Sequence, residues 1–300
     1  MKIRANGIDI EMEDSQAGRA PDGRPVVLLI MGLGMQLTAW PQEMMQAMVD
    51  AGYRVIRHDN RDIGLSQAFD ELGTPNLALN FMRFKLGLPV SAPYSLRDMA
   101  ADSLGVLDAL GIARAHVVGL SMGGMIAQRV ALMDRTRVAS LTSIMSSSGA
   151  RGLPSAKPGA MWALLGKPDG DSHAAIVAHY VRLYRAIGSP GFPTTENDML
   201  ERIGQSIARS FRPRGAMRQM AAVAADTGRA KELERIASPT LVLHGHADPL
   251  LPFACGEDTA RRIPGAQLVG ITGMGHDLAP GVVRRLLDHM LPFLSTGLHA

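Results

Sequence analysis

The chain has 300 residues, 46% of them hydrophobic and 20% charged, the make-up of a globular protein able to bury a large core. Its net charge of +3 comes from 31 basic against 28 acidic residues without a Lys/Arg run, which argues against nucleic acid as a partner. A single cysteine, Cys255, excludes an intrachain disulfide and a cysteine-rich metal site.

Met1 to Asp14 alternates polar and apolar residues and has no signal-like apolar block. The longest strongly apolar run, Val26 to Met35, is too short to span a bilayer and contains two glycines. Together they predict a soluble cytoplasmic protein with no stable membrane association; its oligomeric state, a homodimer included, is left open. Aromatics make up only 4% of the chain, and its 19 methionines serve as filler for irregular core gaps or as lining of an adaptable apolar site.

In chain order, Lys2 to Glu13 reads as a hairpin turning at Asn6-Gly7. Asp14 to Pro25 is a polar, Pro/Gly-rich connection. Val26 to Ile30 is a continuous apolar run, the mark of a parallel strand buried on both faces. It ends in Met31-Gly32-Leu33-Gly34, and a helix is predicted over Trp40 to Asp50, then a strand over Tyr53 to Arg57. The connection from Gln67 to Tyr94 is long for an α/β unit. Its centre, Leu77 to Leu88, is too apolar for a free loop and predicts a helix lying over something, either on the core or as a wall of a substrate entrance. Ser95 to Leu110 is a helix capped by Ser95 with Asp98 three residues on.

His116 to Val118 reads as a short strand leading into Gly119-Leu120-Ser121-Met122-Gly123, after which a helix runs to Met133. Val138 to Met145 is another strand, and there the alternation stops. Residues 146–238 read as helices separated by Gly/Pro breaks. Alternation resumes with strands at Thr240 to His244 and Gln267 to Ile271 and helices at Glu257 to Ile263 and Gly281 to Phe293. The chain thus divides into an α/β core, 1–145 and 239–300, with a helical cap, 146–238, inserted as a lid.

Gly119 to Gly123 fits G-x-S-x-G, in which the serine sits on a strained strand-to-helix turn and the glycines avoid collisions. Ser121 is therefore the candidate nucleophile. It needs a base, and that base a carboxylate to orient it. His276 lies in a glycine-rich loop just after the last strand, where an open parallel sheet places its site. His58 and His246 are its rivals. Asp248, in His244-Gly-His-Ala-Asp248-Pro249, is the candidate acid. The other slot, after the strand ending at Met145, holds Ser146-Ser-Ser and no carboxylate. Asp277 reads as a helix-start residue. The oxyanion hole takes the backbone N–H of Met122 and one from the Met31–Gly34 turn, with Leu33 preferred to Gly32.

These residues resemble the α/β-hydrolase superfamily over nearly the whole chain. Asp59-Asn-Arg61-Asp-Ile-Gly64-Leu-Ser66 is similar to its D-x-R-G-x-G-x-S segment, with Asp62 where glycine is usual. The elbow, the acid loop and Gly273-Met-Gly-His276 also match, and the set resembles the aclacinomycin methylesterase-like branch. Met31 replaces the usual histidine of the oxyanion loop, as that branch does. The resemblance implies a mostly parallel sheet flanked by helices and a cofactor-free carboxylic ester hydrolase acting on a small-molecule ester. Perhydrolase, lactonase and C–C hydrolase chemistry share the same triad, and a small-molecule receptor on this fold is the non-catalytic rival. No GxGxxG, P-loop or HExxH is present, so no cofactor or metal is proposed.

Overall fold

The computed structural model describes residues 1–18 and 22–296; positions 19–21 of the predicted Asp14–Pro25 connection and 297–300 lie outside it. Eight strands form one sheet: β1 (Lys2–Ala5), β2 (Ile8–Asp14), β3 (Val26–Ile30), β4 (Arg54–His58), β5 (Ala115–Leu120), β6 (Val138–Ile144), β7 (Thr240–Gly245) and β8 (Gln267–Ile271). Their order is β1-β2-β4-β3-β5-β6-β7-β8. The first two strands are antiparallel, joined by a turn in which Asn6 and Gly7 have φ of 48° and 74°, as a two-residue hairpin requires. From β4 to β8 every pairing is parallel.

Among the described residues ten α-helices accompany the strands: α1 (Gln42–Asp50), α2 (Leu77–Lys85), α3 (Leu96–Ala109), α4 (Met122–Met133), α5 (Pro158–Leu165), α6 (His173–Ile187), α7 (Glu196–Arg209), α8 (Pro213–Ala225), α9 (Ala254–Arg262) and α10 (Pro280–Thr296). The run Val26–Ile30 shows why the central strands carry no polar alternation. Val26, Leu28 and Ile30 pack with α3 and α4 on one face, while Val27 and Leu29 pack with α1 and α10 on the other. Ser95 closes the predicted capping box with Asp98 at the start of α3. No helix among the described residues is long and apolar enough to cross a membrane.

The helix predicted over 77–88 forms over Leu77–Lys85, capped by Asn76, and packs against α8, but leaves most of its apolar side chains uncovered. Asn80 is its one buried residue, and Leu79, Phe81, Met82, Phe84, Leu86 and Leu88 are exposed. Its apolar residues are spread around the helix rather than gathered in one stripe, so no single contact can bury them.

Residues 146–238 contribute α5 to α8 between β6 and β7 and add no strand. Pro158 and Pro213 stand in the first turns of α5 and α8, where a missing N–H is harmless. The segment is tied to the sheet end by charge. Arg218 of α8, 1% exposed, pairs with both oxygens of buried Asp62 at 2.8 and 2.7 Å. Arg209 of α7 reaches Asp59 at 2.8 Å. Asp62 has φ of 72°, which explains the glycine usual at that place. Aspartate tolerates this backbone better than most residues, and here its carboxylate gains a buried partner.

One buried group makes stability depend on pH. His116 on β5 is 1% exposed, with Nδ1 2.8 Å from the Ser140 hydroxyl, and burial lowers its pKa from 6.5 to about 4. The unfolded chain binds a proton there that the folded chain refuses. The contribution is thus whole above pH 6.5 and lost as pH falls towards 4, on the order of 3 kcal/mol. Denaturant unfolding followed from pH 7 to 4 should show a shallower loss of stability in His116→Gln than in the wild type. Equal slopes would mean that His116 is not held neutral.

Candidate active site

The strand β5 ends at Leu120 and α4 begins at Met122, leaving Ser121 alone on the turn with φ of 54° and ψ of −119°. Its surroundings impose this unfavourable conformation: Ser121 N–H donates to the Ile144 carbonyl at 2.9 Å, and the Ser146 hydroxyl donates to the Ser121 carbonyl at 2.7 Å. The flanking glycines are required sterically. A Cβ on Gly119 would lie 2.1 Å from the Gly123 carbonyl oxygen, and one on Gly123 2.0 Å from that of Ile30.

His276 Nε2 lies 2.9 Å from Ser121 Oγ, and its Nδ1 lies 2.7 Å from Asp248 Oδ2. Asp248 is 3% exposed and is fixed from its other side, since Oδ1 accepts from the backbone N–H groups of Leu250 and Leu251 at 2.9 and 2.8 Å. With a carboxylate facing Nδ1, that nitrogen carries the proton and Nε2 presents its lone pair to the hydroxyl. Such a chain can take a proton from a serine as it attacks and return it to a leaving group.

The loop after β3 is held by the D-x-R segment. Asn60 donates to the Met31 carbonyl at 2.8 Å, and Asp59 accepts from the Leu37 N–H at 2.7 Å. The Gly34 N–H is taken by Gln219 at 2.9 Å. Among the described residues no acceptor takes the N–H of Leu33 or of Met122, so both remain available to a developing oxyanion.

The rival residues go elsewhere. His58 is fully buried with Nε2 3.3 Å from Ser103 Oγ, and burial lowers its pKa. The His246 ring stacks on Phe253 with centroids 4.0 Å apart. Asp277 departs from its expected place, because α10 starts only at Pro280. Its carboxylate instead accepts from the Ser189 hydroxyl, and burial raises its pKa. Nor does it replace Asp248, whose oxygen is the one facing His276.

Three features have no motif in the sequence. His244 places Nε2 2.7 Å from the Leu251 carbonyl and 3.5 Å from Asp248 Oδ2, so a second imidazole borders the acid. Its only sequence signal is the spacing of four residues. The end of α6 and the connection after it also grip the histidine loop: His276 N–H donates to the Ile187 carbonyl at 2.7 Å, and Gly275 N–H to Ser189 Oγ at 2.8 Å. Finally, a cavity of about 370 Å³ lies between the Gly34–Ala39 loop, α6, α7 and Asp277–Ala279. Met35, Tyr180, Tyr184, Met199, Ile203 and Phe211 give it apolar walls. Ser121 and His276 do not line it, but Gly34 and Asp277, next in sequence to Leu33 and His276, do. Among the described residues no three His, Cys, Asp or Glu gather as metal ligands do.

A family model for the alpha/beta hydrolase fold matches residues 25–279. Rhodomycin D methylesterase DauP of Streptomyces sp. (strain C5) is 29% identical over 281 residues, covering 84% of this chain and 85% of that protein. Among solved structures, the meta-cleavage product hydrolase CumD of Pseudomonas fluorescens IP01 superposes with a TM-score of 0.73 at 20% identity, covering 99% of this chain and 97% of the other. The enol-lactonase of Burkholderia xenovorans LB400 does so with a TM-score of 0.69 at 21% identity, covering both chains fully (100% and 100%).

Proposed function

The chain belongs to the α/β-hydrolase family and resembles its methylesterase branch, and from that premise we propose that it is a serine carboxylic ester hydrolase working through an acyl-enzyme on a small to medium apolar ester. The observation that carries this reading is the unbroken chain from Ser121 Oγ to His276 at 2.9 Å and from His276 to Asp248 at 2.7 Å. Ser121 attacks the ester carbonyl while His276 Nε2 takes its proton, and Asp248 stabilises the imidazolium. The N–H groups of Leu33 and Met122 hold the oxyanion. His276 then protonates the departing alkoxide, and a water deprotonated by the same nitrogen releases the acid from Ser121. Residues 146–238 act as a cap that shapes the pocket and excludes water.

Steady-state release of p-nitrophenol from an ester series tests the reading. A serine-directed phosphonate should stop turnover and add its mass to the wild type but not to Ser121→Ala. Turnover that persists in Ser121→Ala would remove the serine from the mechanism.

The cap has its own expected result. Phe211 lines the cavity and meets Tyr180 edge-on, with ring centroids 6.2 Å apart, whereas Trp162 is 79% exposed and lines no part of it. Phe211→Ala should therefore change kcat/KM for bulky esters relative to p-nitrophenyl acetate by roughly tenfold, with Trp162→Ala leaving that ratio unchanged. Thermal unfolding of both variants separates pocket from packing: a fall in activity on every ester in step with stability would make Phe211 cap core alone.

A further inference from the structure

Nothing in the described residues covers the apolar side chains around α2. Leu79, Phe81, Met82, Leu86 and Leu88 are 45%, 59%, 59%, 70% and 50% exposed, and Trp162 on α5 is 79% exposed. Single exposed apolar residues are ordinary, but this many in two short segments is not. The connection into α5 reaches the turn that ends α2, where Arg151 donates from Nη1 to the Gly87 carbonyl at 3.1 Å.

Charge around these side chains has one sign. Gly73 to Tyr94 and Met145 to Pro168 contain no Asp or Glu, while Arg83, Lys85, Arg151, Lys157 and Lys167 fall inside those stretches. Four of the five cations are exposed and Arg83 is half-buried. Of the flanking carboxylates, Asp70 pairs with Arg218, Asp169 with Arg182, and Asp98 closes the Ser95 capping box. Lys85 holds its ammonium 5.5 Å from the centroid of the Phe81 ring, so a cation stands beside the apolar side chains rather than apart from them.

We infer that the α2–α5 face is a docking surface for an anionic lipid bilayer, its apolar side chains entering the headgroup region and its cations resting on lipid phosphates. Bulky apolar side chains mixed with Lys and Arg, on a helix too short to span, are the make-up of an element that lies in a membrane interface. A second copy of the chain fits less well. Self-contact would set these cations against their own copies with no carboxylate between them. A lipid surface supplies apolar depth and dense negative charge together. The contact is reversible and salt-sensitive, since it rests on short side chains and screened charges. It concerns attachment alone and stands or falls separately from the chemistry at Ser121.

Vesicle sedimentation of the full chain tests it. Binding to phosphatidylcholine vesicles containing phosphatidylglycerol should be roughly tenfold or more tighter than to phosphatidylcholine alone, and should weaken as salt is raised. Phe81→Asp with Leu86→Asp, and separately Arg83→Glu with Lys85→Glu, should each abolish vesicle binding while leaving turnover of p-nitrophenyl acetate unchanged. Equal binding to both vesicle types, binding to neither, or binding retained by both double variants overturns the inference. So does a dimer in sedimentation velocity that the Phe81→Asp, Leu86→Asp variant dissolves, which would make a second copy the occupant. If a variant fails to fold, the wild-type comparison of lipids and salt decides alone.

Discussion

Ser121→Ala and His276→Ala should each lower ester turnover by on the order of 10⁴ to 10⁶, and the double variant should be scarcely worse than either single one. The geometry explains why the losses do not multiply. The hydroxyl is 2.9 Å from His276 Nε2, and the other ring nitrogen faces Asp248, so the Ser121 proton has one route through the imidazole. Removing the base leaves an unactivated hydroxyl, and removing the hydroxyl leaves a base with nothing to deprotonate. What should remain in all three variants is binding and the proposed oxyanion donors, the N–H groups of Leu33 and Met122, which none of the substitutions touches. Single-turnover and steady-state kinetics on one p-nitrophenyl ester measure this directly. Losses that multiply in the double variant would show that Ser121 and His276 act independently, contrary to the mechanism.

The second large effect is at the acid. Asp248→Asn should lower kcat by about 10⁴ near neutral pH while the fold persists. The arrangement around the carboxylate forces this outcome. Oδ1 accepts two backbone N–H groups, from Leu250 and Leu251, so the amide oxygen of an asparagine must take that place. Its NH₂ then points at His276 Nδ1, which has to accept instead of donate. The imidazole proton moves to Nε2, and the lone pair facing Ser121 is gone. Asp277→Asn, by contrast, should leave kcat within a few-fold, because the Asp277 carboxylate meets Ser189 and the cavity rather than the imidazole. Measuring both variants over a pH range, with thermal unfolding alongside, separates the roles. A mild Asp248→Asn and a crippling Asp277→Asn would reverse the assignment of the acid.

How legible the site was in the sequence varied with the range of the forces that build it. The elbow could be read because its requirement is local: Gly119, Ser121 and Gly123 sit within five residues, and backbone collisions there admit little else. Asp248 and His276 could be placed on loops because each follows a short strand-like segment, β7 buried throughout and the edge strand β8 buried only at Ile271, and loops at strand ends are where side chains converge over a parallel sheet. Asp277 was misread because its position before Pro280 has the look of a helix start, while its actual partner, Ser189, lies 88 residues away. The helix at 77–85 could be read, but its burial could not, because apolar content does not say whether a neighbouring element offers a surface to receive it.

Alone, the sequence determined which segments become strands and helices and where Ser121, Asp248 and His276 fall along them. Those are consequences of periodicity, turn chemistry and glycine sterics, which act over a few residues. Only the tertiary structure decided that His244 borders the acid, that Ile187 and Ser189 hold the histidine loop, and that Arg218 compensates Asp62 at the usual glycine position. The first depends on how the loop after β7 folds back, and the other two are contacts between segments far apart in the chain. A hydrogen bond or ion pair across such distances leaves no period or spacing in the chain. It exists only once the parallel strands have carried their loops to the same edge.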